Sequence, residues 1–181
     1  MNIHATYDDP AKCARALDDR RLNKMLTETG QILSTALHLM DLYDPNLFKP
    51  FNPGHKINKW VAKSSSNYCW TLQYMKELAD EYKYRKDKEQ ASARLIPILE
   101  QAMIEVEDKK EPASKVQEFC NYAKNKSKDL DYTHMQAHDA YKFYMIKRWL
   151  SDDKKPKWTR RQPPNFFKSY LDKNNGHIYK N

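Results

Sequence analysis

Apolar residues recur at helical spacing through much of the first half of the chain. In the stretch 19–42 they return every three or four positions, which places them on one face of a helix. These residues are Leu22, Met25, Leu26, Ile32, Leu33, Ala36, Leu37 and Met40. The pattern therefore predicts one long amphipathic helix over residues 19–42.

Shorter helices are predicted on both sides of this long one. Asp9 followed by Pro10 is typical of an N-cap and a first helical position, so a helix is expected from there to about residue 17. The run 44–55, rich in proline, then interrupts the pattern. Further helices are predicted at 57–63, after the serine cap 64–66, and at 91–106, 114–124 and 135–150. Pro97 marks either a kink or the true start of the helix at 91–106.

The two ends of the chain differ from this helical middle. Residues 1–7 are expected to form a short strand or an extended arm, and residues 151–181 are basic, aromatic and rich in proline. The chain contains no internal repeat and no long linker. The sequence predicts an all-α fold with a single compact multi-helix domain, a short N-terminal arm and a basic C-terminal tail. Residues 1–150 would form the helical domain that carries the active site, and residues 151–181 would pack on it or extend from it.

Composition supports helices and leaves the choice of partner open. Three glycines against twelve tyrosines disfavour a turn-rich β fold, and the mean hydropathy of −0.98 is very polar. The net charge is +8, and residues 151–181 hold eight basic against three acidic residues. A basic tail and a pI of 9.2 fit a polyanion such as nucleic acid, but a lysine-rich surface would account for them equally well.

Other features argue against several classes of protein. The three cysteines lack CxxC spacing, so we expect reduced, buried thiols. His134 and His138 have the spacing of helical zinc ligands, but no glutamate lies between them, and we expect no metal and no cofactor. No secretory signal and no membrane-spanning run is recognisable. We expect a cytoplasmic protein of a bacterium or of a virus-infected cell, with no membrane contact and no evident obligate protein partner.

An ordered polar stripe borders the apolar face of the long helix. Steps of three, four and three residues place Arg21, Lys24, Glu28 and Gln31 along one edge. One interpretation is a plain intrahelical ion pair between Lys24 and Glu28. The other is that Arg21 and Lys24 meet phosphate, while Glu28 stabilises positive charge that develops on a sugar. Lys24 could also serve as an amine nucleophile if burial activated it.

Two further groups are candidates for contact with nucleic acid. His55 follows a Pro-Gly turn and precedes Trp60 by five residues, and Asn67 opens the next helix with Tyr68 and Trp70 nearby. These side chains would line a cleft with the stripe, or they would simply cap and pack. The tail interleaves cations with aromatic residues, as arms that contact phosphates and stack on bases do.

Three elements together resemble a known family. The residues Leu17, Asp18, Arg21, Leu22, Lys24, Glu28, Gln31, Ile32 and Leu33 fit its first element. His55 and Trp60 echo a second, and Glu81, Tyr82 and Arg85 a third. The chain resembles the phage and bacterial proteins of the pyrimidine-dimer DNA glycosylase/endonuclease V-like family, over roughly its first half. The resemblance implies an all-helical fold that binds duplex DNA and cleaves an N-glycosidic bond.

The chain departs from the founding phage enzyme of that family at two points. The founder attacks the sugar with its N-terminal amine, forms a Schiff base and uses a glutamate in an Arg-Glu-Leu-x-Arg helix. Aligned on that motif, Arg20 and Lys24 take the cation positions, Arg21 stands where the glutamate should be, and Glu28 would replace it. Asn2 is too large for efficient removal of Met1, so the amine would belong to Met1.

We therefore expect a DNA N-glycosylase-like enzyme that acts on a damaged or modified base, with a lyase step left open. A non-catalytic nucleic-acid-binding protein and an enzyme acting on a modified nucleotide or RNA are the alternatives. The catalytic candidates are Glu28, Lys24 and Arg21. The candidates for DNA contact are Arg20, Gln31, His55, Trp60, Asn67, Arg85, Lys157, Trp158, Arg160 and Arg161.

Overall fold

The computed structural model describes residues 1–110 and 115–174, and the fold is all-α as predicted. The α-helices are α1 (Pro10–Ala16), α2 (Asp19–Leu39), α3 (Lys56–Val61), α4 (Ser65–Lys86), α5 (Ile96–Gln101), α6 (Met103–Lys109), α7 (Ala137–Ser151) and α8 (Asn165–Lys173). Short 3₁₀ turns cover Ala91–Leu95 and Lys126–Lys128. Two short strands, β1 (Lys124–Asn125) and β2 (Leu130–Asp131), pair in antiparallel fashion.

Side chains that precede the helices fix where they begin. Asp9 accepts hydrogen bonds from the backbone N–H groups of Ala11 and Lys12 at the start of α1, which confirms the predicted cap. Ser64 accepts from Asn67 at the start of α4. His55 caps α3, because its ring nitrogen Nδ1 accepts from the N–H of Ile57 at 3.2 Å.

Helices α2 and α4 form the centre of the molecule, and α1, α3 and the 3₁₀ turn at Ala91–Leu95 pack around them. The apolar face predicted for α2 is buried, with Leu22, Leu26, Ile32 and Leu33 fully enclosed. Gly30 lies at a close contact between α2 and its neighbours. A Cβ there would come within 3.1 Å of the side chains of Met75 and Leu95.

The long helix ends three residues before the predicted position. Asp41 adopts a positive φ of 55°, its N–H donates to the carbonyl of His38, and the N–H of Leu42 donates to the carbonyl of Leu37. These two bonds make a Schellman motif, which closes the helix. The helix predicted at 91–106 is instead broken into the 3₁₀ turn, α5 and α6, with Pro97 in the first turn of α5.

The helix predicted at 114–124 is wrong for residues 115–123, which are not helical, while Ser114 lies outside the described residues. Side chains from distant helices satisfy this backbone. The indole Nε1 of Trp60 donates to the carbonyl of Glu118 at 2.8 Å. The amide of Asn67 accepts from the N–H of Gln117 at 3.0 Å. The last predicted helix begins at Ala137 rather than 135, and His134 lies in the turn before it.

The described part of the basic tail packs on the junction of α1 and α2. Trp158 is buried against Trp149 of α7, with ring centroids 5.1 Å apart, and donates from Nε1 to the carbonyl of Ala16. The ring centroid of Phe167 in α8 lies 4.9 Å from that of Trp149. The division of the chain at residue 150 stays a prediction, and residues 175–181 lie outside the described part.

The cysteine prediction is confirmed only in part, because the three thiols are free but Cys69 is exposed and Cys120 half-buried. Among the described residues, no helix combines the length and apolar character needed to cross a membrane. No cluster of three or more His, Cys, Asp or Glu side chains suited to a metal ion occurs within the same ranges.

Candidate active site

The carboxylate of Glu28 on α2 meets the N-terminal backbone. Its Oε2 atom lies 3.8 Å from the α-amine of Met1 and accepts a hydrogen bond from the N–H of Asn2 at 3.2 Å. Its other oxygen, Oε1, lies 3.2 Å from the ammonium of Lys24. The side chain of Glu28 is 20% exposed and that of Lys24 is 70% exposed. One carboxylate is thus shared between a primary amine and a surface cation.

The N-terminal arm is held in this position by burial and by the Asn2 side chain. Ile3 and Ala5 are fully enclosed in the core. The amide of Asn2 accepts from the N–H of Ile3 at 2.9 Å and donates to the carbonyl of Tyr122 at 3.0 Å. The arm forms no strand, and it turns at His4, where φ is 43° and the carbonyl accepts from the N–H of Thr6 at 2.7 Å. Of the two predicted forms, an arm packed on the helices is therefore the correct one, although it is not extended throughout.

A small cavity of about 100 Å³ opens beside the arm and α2. It is lined by His4, Arg20, Arg21, Lys24, Met25, Tyr144 and Arg148. The ring of His4 stacks on that of Tyr144 with centroids 5.7 Å apart. Burial holds the pKa of His4 well below its ordinary value, and the positive charges of Arg21, Lys24, the Met1 amine and Arg148 lower it further. His4 is therefore neutral, although four of the residues that line the cavity are basic.

Basic side chains around this cavity are available to bind an anion. Arg20 is exposed and forms no ion pair with any residue of the described part, and Lys24 is exposed beyond its contact with Glu28. Arg148 lies 3.8 Å from Asp152, and its Nε is buried without a hydrogen-bond partner. A phosphate oxygen is the kind of acceptor that such a set of groups binds.

His55, the cap of α3, packs against Tyr122. Its ring meets the ring of Tyr122 edge-on at 4.4 Å, and Lys124 lies over the Tyr122 ring at 5.0 Å. Burial lowers the pKa of His55, the Met1 amine and Lys124 lower it further, and Glu28 opposes the shift. Tyr122 connects the α3 cap to the arm, because its ring contacts His55 and its carbonyl accepts from the side chain of Asn2.

The predicted polar stripe does not act as one unit. Arg21 turns inward and binds Asp18 at 2.9 Å and Asp152 at 2.6 Å. Gln31 donates to the carbonyl of Lys49 at 2.6 Å. Of the four side chains, only Lys24 and Glu28 contact each other. They form the intrahelical ion pair that is one of the two interpretations of the stripe. We accordingly leave Arg21 and Gln31 out of the proposed catalytic and DNA-contact groups.

Several residues predicted to contact DNA lie in the interior. Asn67 is fully buried, and Trp60 and Trp158 are below one-tenth exposed with their indole N–H groups bonded to backbone carbonyls. The guanidinium of Arg85 is fully buried against Glu81 and Asp19. Contact with DNA by these side chains stays a prediction, and their placement favours structural roles.

The cations of the tail are more accessible. Arg160 is exposed and pairs with Asp87 on the surface. Arg161 is one-third exposed and pairs with Glu81 at 2.9 Å, over the ring of Tyr84. The side chain of Lys157 is exposed, and its backbone carbonyl accepts from the N–H of Asp19.

Sequence reasoning missed part of the site. His4 and Asn2 belong to an arm with no periodic signal, and Tyr122 and Lys124 lie within the segment 114–124, which was wrongly predicted as a helix. Arg148 stands in the run AYKFYMIKRW, whose mixture of cations and aromatic residues was the available signal.

Comparison with known proteins agrees with this geometry. No curated protein and no solved structure matches the chain. Residues 1–94, just over half of the 181, match the family described as pyrimidine dimer DNA glycosylase. The matched part contains α1 to α4, the arm, Glu28 and His55. The chain therefore belongs to the pyrimidine dimer DNA glycosylase family.

Proposed function

We propose that the protein is a DNA glycosylase in which the N-terminal amine is the nucleophile and Glu28 is its carboxylate partner. The contact that carries this proposal is the 3.8 Å separation between the Met1 nitrogen and Oε2 of Glu28. A primary amine and a carboxylate beside a cationic cavity supply the groups that cleavage of an N-glycosidic bond requires.

The chemistry follows from these two groups. The amine attacks C1′ of the deoxyribose while the bond from C1′ to the base breaks, and the electrons of that bond leave with the base. Glu28 is placed to accept the proton that the amine loses and to stabilise positive charge on the sugar. Opening of the sugar ring then gives an imine between the amine and C1′, which a hydride donor would trap.

The proposal holds for either of two N-terminal residues. If Met1 is retained, its own amine is the nucleophile. If Met1 is removed, the nitrogen of Asn2 becomes the amine, and it already lies 3.2 Å from the same carboxylate oxygen. Lys24 is a weaker candidate, because its side chain is 70% exposed and lacks the burial that activates a lysine.

Two groups of basic side chains would bind the DNA, one around the cavity and one on the tail. Arg20, Lys24 and Arg148 line the cavity next to the arm. We propose that they hold a phosphate near the reacting nucleotide, and that the tail residues Lys157 and Arg160 meet the backbone further along a duplex. The family name makes a pyrimidine dimer the first lesion to try, and the base must leave the stack for its C1′ to reach the amine.

A second candidate function, DNA binding without catalysis, is favoured by one observation. Lys24 and Glu28 form an intrahelical ion pair at 3.2 Å, as they would on an ordinary helix surface. In that case the only role of Glu28 would be to stabilise the arm and the helix.

A pair of variants distinguishes the two functions. Glu28→Gln keeps the shape of the side chain and removes its charge. Glu77→Gln is the matched control, because Glu77 is a glutamate on α4 that contacts Gln73 on the surface. On duplex DNA with a cyclobutane dimer, we expect cleavage of one glycosidic bond in the wild type and in the control, and a loss of at least about 100-fold in Glu28→Gln. The cut base stays joined to its neighbour through the cyclobutane ring, so photoreversal of the dimer frees it for detection. Salt-dependent DNA binding with no cleavage of the glycosidic bond by the wild type would favour the non-catalytic function.

A further inference from the structure

One face of α7 lies along the N-terminal arm. His138, Tyr141 and Tyr144 recur every three residues on this helix, so their side chains share one face. Nδ1 of His138 lies 2.6 Å from the carbonyl oxygen of Ala5. The ring of His4 meets the ring of Tyr141 edge-on at 5.9 Å and stacks on that of Tyr144 at 5.7 Å. The arm therefore packs on successive turns of α7.

Tyr141 also holds the loop that contacts Asn2. Its hydroxyl accepts a hydrogen bond from the backbone N–H of Tyr122 at 3.1 Å and donates one to the carbonyl of Cys120 at 3.0 Å. Tyr141 is fully buried, and burial raises the pKa of its hydroxyl, which therefore keeps the proton that it donates. Residues 115–123 are not helical, so these side-chain bonds replace the ones that a helix would supply.

A series of hydrogen bonds leads from Tyr141 to the reacting groups. The carbonyl of Tyr122 accepts from the side-chain amide of Asn2 at 3.0 Å. The N–H of Asn2 donates to Oε2 of Glu28 at 3.2 Å, and the same oxygen lies 3.8 Å from the Met1 amine. Tyr141 is thus connected to the nucleophile, although its own side chain is fully buried and out of reach of DNA.

We propose that Tyr141 is a positioning residue that aims the N-terminal amine at C1′ of the bound nucleotide, acting through the Tyr122 backbone and the Asn2 side chain. This inference rests on the function proposed above. A displacement of about 1 Å from the productive geometry can cost about 100-fold in rate, so the placement of the amine matters. The family match ends at residue 94, so this role belongs to a helix outside the matched part.

A positioning role and a purely structural role have different consequences. If the bonds of Tyr141 served stability alone, their loss would lower the free energy of unfolding and leave the rate of the folded protein unchanged. If they position the amine, their loss lowers the rate of the bound complex. The affinity for DNA stays the same, because a fully buried side chain makes no contact with the duplex.

A single hydroxyl deletion tests the proposal. Tyr141→Phe removes the hydroxyl and keeps the ring. Tyr170→Phe is the matched control, because it removes from α8 a hydroxyl that accepts a hydrogen bond from Lys147 at 3.2 Å. Both variants and the wild type are assayed in single turnover at saturating duplex DNA that contains either a cyclobutane dimer or an abasic site. Borohydride trapping measures the rate of imine formation, fluorescence anisotropy the DNA affinity, and urea unfolding the stability.

The abasic duplex offers its sugar aldehyde to the amine directly, so a misplaced amine slows the reaction with both substrates. We expect Tyr141→Phe to form the imine at least about 10-fold more slowly than the wild type, with DNA affinity changed by less than about twofold. Tyr170→Phe should keep the wild-type rate. An unchanged rate in Tyr141→Phe, or a loss confined to DNA affinity, would overturn the proposal. A wild type that forms no imine with either substrate would instead refute the proposed function.

A second variant tests the path from Tyr141 to the amine. Asn2→Leu removes the amide that binds the carbonyl of Tyr122, and leucine is also too large for efficient removal of Met1. We expect Asn2→Leu alone to slow imine formation. If Tyr141 acts through Asn2, the protein with both changes should lose no more than the larger single loss, because the second change breaks a path that is already broken. Losses that multiply in the double variant would overturn the proposal. A wild-type rate in Asn2→Leu would do the same, even if Tyr141→Phe failed to fold.

Discussion

Glu28 divides its carboxylate between the N-terminal backbone and a surface lysine. Oε2 faces Met1 and Asn2, whereas Oε1 faces Lys24. The intrahelical pair with Lys24 is worth only a few tenths of a kcal/mol on a surface helix. The amine contact depends on a fold that brings residues 27 positions apart together, and it is the more specific of the two.

His4 gives the first prediction at this scale, because it is buried and neutral beside four positive groups: Arg21, Lys24, the Met1 amine and Arg148. Its pKa is lowered in the folded state, so the unfolded state binds the proton more tightly. The stability from His4 is therefore complete well above pH 6.5 and declines as the pH falls below that value. The decline is at most about 1.4 kcal/mol per pH unit.

Urea unfolding at pH 7.5 and at pH 5 measures this effect. The matched variant is His4→Asn, since asparagine tolerates the positive φ of 43° found at this position. We expect the wild type to lose more stability than the variant between the two pH values. An equal loss in both proteins would show that His4 is not held neutral.

At the scale of the elements, one buried arginine joins three helices. Arg85 near the end of α4 binds Glu81 at 2.7 Å and Asp19 of α2 at 3.1 Å, and donates to the carbonyl of Arg15 in α1 at 3.1 Å. Arg161 of the tail binds the same Glu81. These bonds fix the geometry of α2, on which Glu28 and Lys24 stand.

Arg85→Ala should therefore act on stability. It leaves Glu81 with Arg161 as its remaining cation and removes the donor to the carbonyls of Arg15 and Leu17, and we expect a loss of about 3–5 kcal/mol in the free energy of unfolding. Lys83→Ala is the control, because its pair with Glu89 is exposed and is worth less than about 1 kcal/mol. Denaturant unfolding compares them. If Arg85→Ala kept its stability but bound DNA weakly, the sequence-based assignment of Arg85 to DNA contact would be correct.

The elements also show which parts of the fold the sequence could predict. Helices α2 and α4 follow from local periodicity, and Asp9 and Ser64 cap helices through bonds to near neighbours. Residues 115–123 are different, because Trp60 and Asn67 satisfy their backbone from more than 45 positions away. The inward position of Arg21 could not be predicted for the same reason, since its partner Asp152 is 131 positions distant.

At the scale of the whole molecule, positive charge is unevenly distributed, and part of it lies around the cavity beside the candidate active site. The sequence predicted a basic tail, but it could not show that Arg148 of α7 joins Arg20 and Lys24 around one cavity. Burial then separates the basic residues into two kinds. Arg21 and Arg85 hold the fold, while Arg20, Lys24 and the tail cations are accessible to a polyanion.

This separation predicts the salt dependence of DNA binding. Arg20→Ala should reduce the slope of log affinity against log salt by about 0.9, the value for one lost phosphate contact with duplex DNA. Arg94→Ala is the control, because Arg94 lies away from the cavity near Phe48. Fluorescence anisotropy over a salt series measures both slopes. An unchanged slope in Arg20→Ala would remove the cavity from the proposed DNA path.

The identity of the nucleophile tests the central claim most directly. The wild type would be incubated with dimer-containing duplex DNA and borohydride, and the trapped adduct would be mapped by mass spectrometry of its peptides. The account predicts an adduct on the α-amine of the N-terminal residue, whether that residue is Met1 or Asn2. An adduct on the side chain of Lys24, or cleavage of the glycosidic bond with no adduct at all, would contradict it.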